Sequence, residues 1–101
     1  MRFLVKVSMP HATFNEAVRK GTAGATMDRI LAEMKPEAAY FVEMNGRRTA
    51  ILIVDMKDVS EIPRLAEPWF LQLGADVEFH PAMTGQDLAR AGLEAIGKNW
   101  A

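Results

Sequence analysis

His80 and Glu78 lie two residues apart in the stretch Ala75 to Met83, where Val77 and Phe79 alternate with Asp76, Glu78 and His80. In a strand that spacing puts both side chains on one face. An imidazole oriented by a neighbouring carboxylate serves as a general base at neutral pH. His80 and Glu78, with Glu43 as a further carboxylate, are therefore the candidate catalytic residues. Lys6, Arg48 and Phe41 are the candidate ligand-binding residues: Lys6 and Arg48 line a polar pocket with Glu43, and Phe41 and Leu4 form its apolar wall. Both groups also have a reading without chemistry. His80 can be a hydrogen-bonded histidine at a strand end before Pro81. Glu43 and Arg48 can form a hairpin salt bridge, leaving Lys6 in water.

Other chemistries find no support in the residues. The chain contains no cysteine, so disulfides, thiolate zinc sites and cysteine nucleophiles are excluded. His11 and His80, the only histidines, belong to opposite ends of antiparallel strands and cannot share a metal within one chain. Met9, Met44, Met56 and Met83 fall near strand ends and suit gap-filling better than soft-metal ligation. Neither a metal nor a cofactor is expected. Gly21-Thr22-Ala23-Gly24 follows Arg19-Lys20, but it has neither the preceding strand nor the spacing of a phosphate loop. It predicts a helix bend that allows close packing or forms a pocket lid. No serine stands at triad spacing to a histidine and a carboxylate.

The elements that must position these residues follow from periodicity. Phe3 to Met9 alternate as a half-buried strand that Pro10 stops. Thr13 and Glu16 form a capping-box pattern opening a helix that runs, with the bend at Gly21–Gly24, to Pro36. Ala38 to Asp55 read as a hairpin about Asn45-Gly46, which favours a two-residue type I′ turn. That register sets Glu43 opposite Arg48 and Phe41 opposite Ala50, predicting a cross-strand ion pair. Asp58 and Glu61 open a second helix that Pro68 should kink or break and Gly74 ends. A fourth strand covers Ala75 to Met83. Thr84 with Asp87 then opens a terminal helix whose apolar stripe continues to Trp100. The order β-α-β-β-α-β-α predicts an α+β, ferredoxin-like domain over residues 1–101: a four-stranded antiparallel sheet, two helices on one face and an extra C-terminal helix.

The chain has 101 residues and a net charge of −1, with half its residues hydrophobic and a pI near 6.1. That balance argues against nucleic acid and anionic membranes, which call for a basic face. No apolar run approaches the ~18 residues of a membrane span, and Arg2 and Lys6 interrupt any signal-peptide stretch. A cytoplasmic protein is expected. The strand faces predict its assembly. Phe3, Val5, Val7, Val42, Ile51, Ile53, Val77 and Phe79 are assigned to the face under the helices. Arg2, Leu4, Lys6, Phe41, Glu43, Arg48, Ala50, Leu52, Val54, Glu78 and His80 are assigned to the open face. An open face that apolar needs a cover. Its third strand, Arg48 to Val54, lacks the stacking aromatics of an RNA-recognition sheet. A homodimer pairing sheet to sheet is the expected cover.

The stretch from Phe14 to Trp100 resembles an uncharacterised bacterial family of the dimeric α/β-barrel, ferredoxin-like superfamily. The resemblance rests on Lys35-Pro36-Glu37-Ala38-Ala39-Tyr40-Phe41, Gly46-Arg47-Arg48, Ala66-Glu67-Pro68-Trp69-Phe70 and Ala82-Met83-Thr84. It implies two sheets facing each other around a partly open barrel, and it implies no particular reaction. Fold relatives of that kind include muconolactone isomerase, small cofactor-free monooxygenases and dehydratases, an analogy that rests on fold alone. The expected function is a homodimer binding a small apolar or aromatic molecule in a cleft formed with the dimer. The alternatives are a cofactor-independent isomerase or monooxygenase using His80 with a carboxylate, and a structural or partner-binding homodimer. The sequence leaves open whether Trp100 packs on its own chain or on a partner.

Overall fold

The computed structural model describes all 101 residues. Strand β1 (Arg2–Ser8) lies between β3 (Arg47–Asp55) and β4 (Asp76–Pro81), and β2 (Ala38–Met44) forms the far edge beyond β3. Every neighbouring pair is antiparallel, in the order β2-β3-β1-β4. Helices α1 (His11–Lys20), α2 (Ala23–Met34) and α3 (Ile62–Leu73) complete the ferredoxin-like pattern. Two short helices, α4 (Gly85–Arg90) and α5 (Leu93–Asn99), follow as the extra C-terminal element.

The core lies between one sheet face and the helices. Phe3, Val5 and Val7 of β1 are buried opposite Val54, Leu52 and Ala50 of β3. Ile30 and Met34 of α2 and Leu65, Trp69 and Leu73 of α3 close over them. Trp69 is completely buried, and its indole N–H donates to Met34 Sδ at 3.1 Å. The ring thus loses no hydrogen bond on leaving water. Phe3 and Phe79 meet edge to face, with ring centroids 6.4 Å apart.

Several local expectations hold. Asn45 and Gly46 both have positive φ, 56° and 74°, as a type I′ turn requires. The hairpin register is the expected one, with Glu43 opposite Arg48 and Phe41 opposite Ala50. The Asp58–Glu61 capping box forms, although it caps a single 3₁₀ turn (Val59–Glu61) that feeds α3. The Thr84–Asp87 box caps α4. Gly74 ends α3 in the left-handed conformation.

Others are corrected. The Thr13–Glu16 box does not form, because the helix begins earlier, at His11 after Pro10. Glu16 pairs instead with Arg19 and Lys20 within one turn. The region of Gly21 is a true break: Gly21 takes φ 74° and ends α1, and α2 starts afresh at Ala23. Pro68 does not break α3, since Leu65, Ala66, Trp69 and Leu73 bury one stripe on both sides of it. The expected terminal helix is divided at Gly92, which takes φ 73°.

The largest correction concerns the faces of the hairpin. Ala50, Leu52 and Val54 lie under the helices, while Ile51 and Ile53 face the open side. Ala39, Phe41, Glu43 and Arg48 go with the helix side, and Tyr40 and Val42 with the open side. β1 and β4 keep their expected faces. The reason is that β3 is apolar on both faces, so alternation within the hairpin carries no sign. Pairing with β1, Val5 to Leu52 and Lys6 to Ile51, supplies it.

Two outcomes follow. No atom lies within 4 Å of a side chain built at Gly46, so a substitution there meets only backbone strain. Gly46→Val should destabilise the protein by about 1–2 kcal/mol in denaturant titration. Glu61 is held below the usual carboxylate range by its hydrogen bond to Arg64, reinforced by the backbone N–H groups of Lys57 and Asp58. A lowered folded-state pKa stabilises above the unfolded value of ~4.3 and stops doing so as pH falls through the folded value. The melting temperature of the wild type should exceed that of Glu61→Gln at pH 7, and the charge-dependent part of that gap should shrink as pH falls below the unfolded value and close once it passes the folded one.

Candidate functional site

The sheet divides the sequence-selected residues between its two sides. Lys6, Glu78 and His80 stand together on the open face. His80 Nε2 lies 3.2 Å from Glu78 Oε1, and Lys6 Nζ lies 3.7 Å from Glu78 Oε2. The cross-strand pairing of Lys6 with Glu78 and Leu4 with His80 brings them there. Glu78 and His80 are exposed on the edge strand, with half or more of each side chain in water. The row continues through Ile51 to Tyr40, so this charged corner borders an apolar strip.

Phe41, Glu43 and Arg48 lie on the other side, where the hairpin projects past the helices. Glu43, on the far edge strand and the opposite face, cannot work with His80. The expected Glu43–Arg48 ion pair is also absent: Glu43 Oε2 accepts the Gly46 N–H at 2.6 Å and so fastens the turn. Arg48 reaches instead to α1. Its Nη1 donates to Asn15 Oδ1 at 2.8 Å, and its guanidinium lies 4.8 Å over the Phe14 ring. No carboxylate lies within ion-pairing distance of it. A half-buried cation held by an amide and a ring keeps its charge available to something else.

That cation opens onto a cavity of about 590 Å³ between the start of α1, α2 and the hairpin. Met9, Phe14, Met27, Phe41 and Val42 supply its apolar wall, and His11, Glu43, Arg47 and Arg48 its polar rim. The volume falls within the ~300–1,000 Å³ of small-molecule sites. Each wall has a local cause. Pro10 turns the chain from β1 directly into α1, placing His11 and Phe14 over the end of the sheet. Met9 is fixed by its N–H bond to Arg48 C=O. Helix α1 ends at Gly21 and α2 starts afresh at Ala23, and Met27 of α2 lines the same space.

His11, Phe14, Asn15, Met27 and Arg47 were not singled out as one site from the sequence. The signal for them was Arg48 itself, since on the helix side it must meet the first turns of the helix that follows β1. Two further cavities are less suited to an apolar ligand. A groove of about 530 Å³ between α2 and α3 is lined by Arg29, Glu33, Arg64 and Glu67, charges of both signs. A cavity of about 400 Å³ by the chain start is bordered by groups that satisfy one another. There the Met1 ammonium hydrogen-bonds Asp55 and holds its carboxyl below the usual range, while Glu37 holds the Arg2 guanidinium above its own.

No helix is long and apolar enough to cross a membrane. Among curated proteins none matches this chain. One protein family does match it, over residues 1–96 and hence both faces of the sheet and the cavity beneath α1. The chain belongs to the family described as domain of unknown function DUF3303.

Proposed function

We propose that this is a cytoplasmic homodimer that binds a small apolar or aromatic molecule carrying an acidic group, in the cavity between α1, α2 and the hairpin. The observation that carries the reading is Arg48, a half-buried guanidinium with only neutral partners, at the polar rim of a pocket whose wall is apolar. A planar guanidinium matches a carboxylate in two-point geometry. Phe14, Phe41, Met9 and Met27 offer the ligand's body an apolar surface that adapts its shape through the methionines. Arg47 on the same rim adds a second cation, so that two guanidinium groups face the single Glu43 carboxylate.

The dimer half of the proposal rests on the open face. Tyr40 is 64% exposed there and Val42 40%, beside half-buried Leu4, Ile51 and Ile53. A contiguous apolar strip of that kind is characteristic of an interaction surface. The two central strands carry Leu4, Lys6, Ile51 and Ile53 on that face, without the ring pair that stacks nucleic-acid bases.

A second reading is favoured by the Lys6–Glu78–His80 cluster. With its imidazole oriented by Glu78, His80 could exchange a proton with a substrate held between two facing sheets, which would make the protein a cofactor-independent isomerase or monooxygenase. The exposure of both partners supports this reading less than the half-buried Arg48 supports the first.

An NMR titration separates them. Benzoate, phenylacetate and octanoate, with their uncharged amides as controls, should shift resonances of Phe14, Met27 and Phe41. Arg48→Ala should weaken the acids by roughly tenfold or more, one charge-assisted hydrogen bond, and leave the amides unchanged. Shifts confined to Lys6, Glu78 and His80, or no binding by any acid at millimolar concentration, would contradict the proposed site.

A further inference from the structure

We propose that the C-terminal arm, residues 82–101, docks on edge strand β2 of a second copy of this chain, with the two arms exchanged about a two-fold axis. This rests on the homodimer of the preceding section and adds to it the part of the chain that locks it.

Beyond Asp87, which still borders Arg2 and Asp55, the arm has no place on its own body. Every residue from Leu88 to Ala101 is exposed, and Trp100 is 81% so. A chain of this length folded into one compact body has a radius of gyration of about 13 Å. This one has 17.0 Å, and its longest axis is 59 Å. The arm departs at Ala82, whose N–H still bonds Arg2 C=O at the end of the sheet, and then leaves the body.

Its sequence is nonetheless that of a docking element. Thr84 and Asp87 cap α4, and Gly92 turns the chain into α5. Leu93 and Ile96 fall at i and i+3 on one side of α5, and Trp100 follows at i+7 as the residue that caps the helix. Helices of six and seven residues do not persist in water by themselves, so their order requires a surface beneath them. The arm's charges are largely matched within it, Asp87 with Arg90 and Glu94 with Lys98. What it presents to a partner is therefore apolar rather than charged, which suits a protein surface and not a polyanion.

The complementary surface is on the same chain. β2 is exposed from Ala39 to Met44, and Tyr40, Phe41, Val42 and Met44 leave apolar surface uncovered on both of its sides. A second copy satisfies both needs at once. A two-fold exchange lays each arm on the other chain's β2 and leaves no open end for further growth. Trp100 alone brings about 150–250 Å² to the contact. A stable interface takes roughly 1,200–2,000 Å² in total, so Leu93, Ile96 and the sheet face must supply most of the rest.

The chain's lack of cysteine makes the test direct. Ala101→Cys carrying a nitroxide is mixed with ¹⁵N-labelled wild type. Broadening of Tyr40 to Met44 resonances in the labelled chain is expected. Leu93→Asp with Ile96→Asp, both in a solvent-exposed segment, should leave the melting curve intact at concentrations where the wild type is monomeric. In sedimentation equilibrium it should raise the dimer dissociation constant roughly 30-fold or more. A wild-type dimer that shows no broadening of the labelled chain, or an arm variant that dimerises like the wild type, overturns the arm exchange while leaving the dimer standing. A wild type that is monomeric at 100 micromolar, a concentration chosen for the test and about 10⁻⁴ M, overturns both.

Discussion

Val5 faces Leu52 across the pairing of β1 with β3, and both side chains are completely buried. The rest of the molecule depends on that register. Side chains alternate strictly across a sheet, so a slip of one residue would exchange the two faces of the whole hairpin. In the observed register Ala50, Leu52 and Val54 join Phe3, Val5 and Val7 under the helices. Arg48, two residues before Ala50, consequently meets α1 and finds Phe14 and Asn15. The same alternation sends Tyr40, Val42, Ile51 and Ile53 outward. The pocket and the open apolar strip are two results of a single strand pairing.

The sequence disclosed the fold where one residue type had one physical solution. Asn45-Gly46 admits a positive-φ pair that few other dipeptides adopt, and it fixed the hairpin and its internal register. Asp58 with Glu61, and Thr84 with Asp87, marked helix starts because their side chains and backbone N–H groups answer each other. It failed where two solutions were nearly equal in local energy. Ile51 and Ile53 are as apolar as Leu52 and Val54, so only the long-range contact with β1 could decide between them. Pro68 carries a local preference against helix that the burial of Leu65, Ala66, Trp69 and Leu73 overrides.

The candidate site was half legible for the same reason. Phe41, Glu43 and Arg48 lie together, as the hairpin register read from Asn45-Gly46 requires. Grouping them with Lys6, Glu78 and His80 required the face assignment, which the structure reverses. The Arg48 guanidinium then gained its meaning from Asn15, Phe14 and the missing carboxylate rather than from Glu43, whose oxygen is held by the Gly46 N–H. A small domain with helices on only one side of its sheet has little apolar surface to spare. Here that surface is left on β2, on the open face and along α5. Each of these is the surface that the proposed second copy would cover.

The central claim is that Leu52 points to the helices and Ile51 and Ile53 to a second copy. Isotope-filtered methyl NOE spectroscopy on a mixed-label sample tests it most directly. The account predicts intramolecular NOEs from Leu52 methyls to core residues of α2 and α3, such as Ile30, Leu65 and Trp69, and intermolecular NOEs from Ile51 and Ile53. Intramolecular NOEs from Ile51 and Ile53 to those helix residues would contradict it.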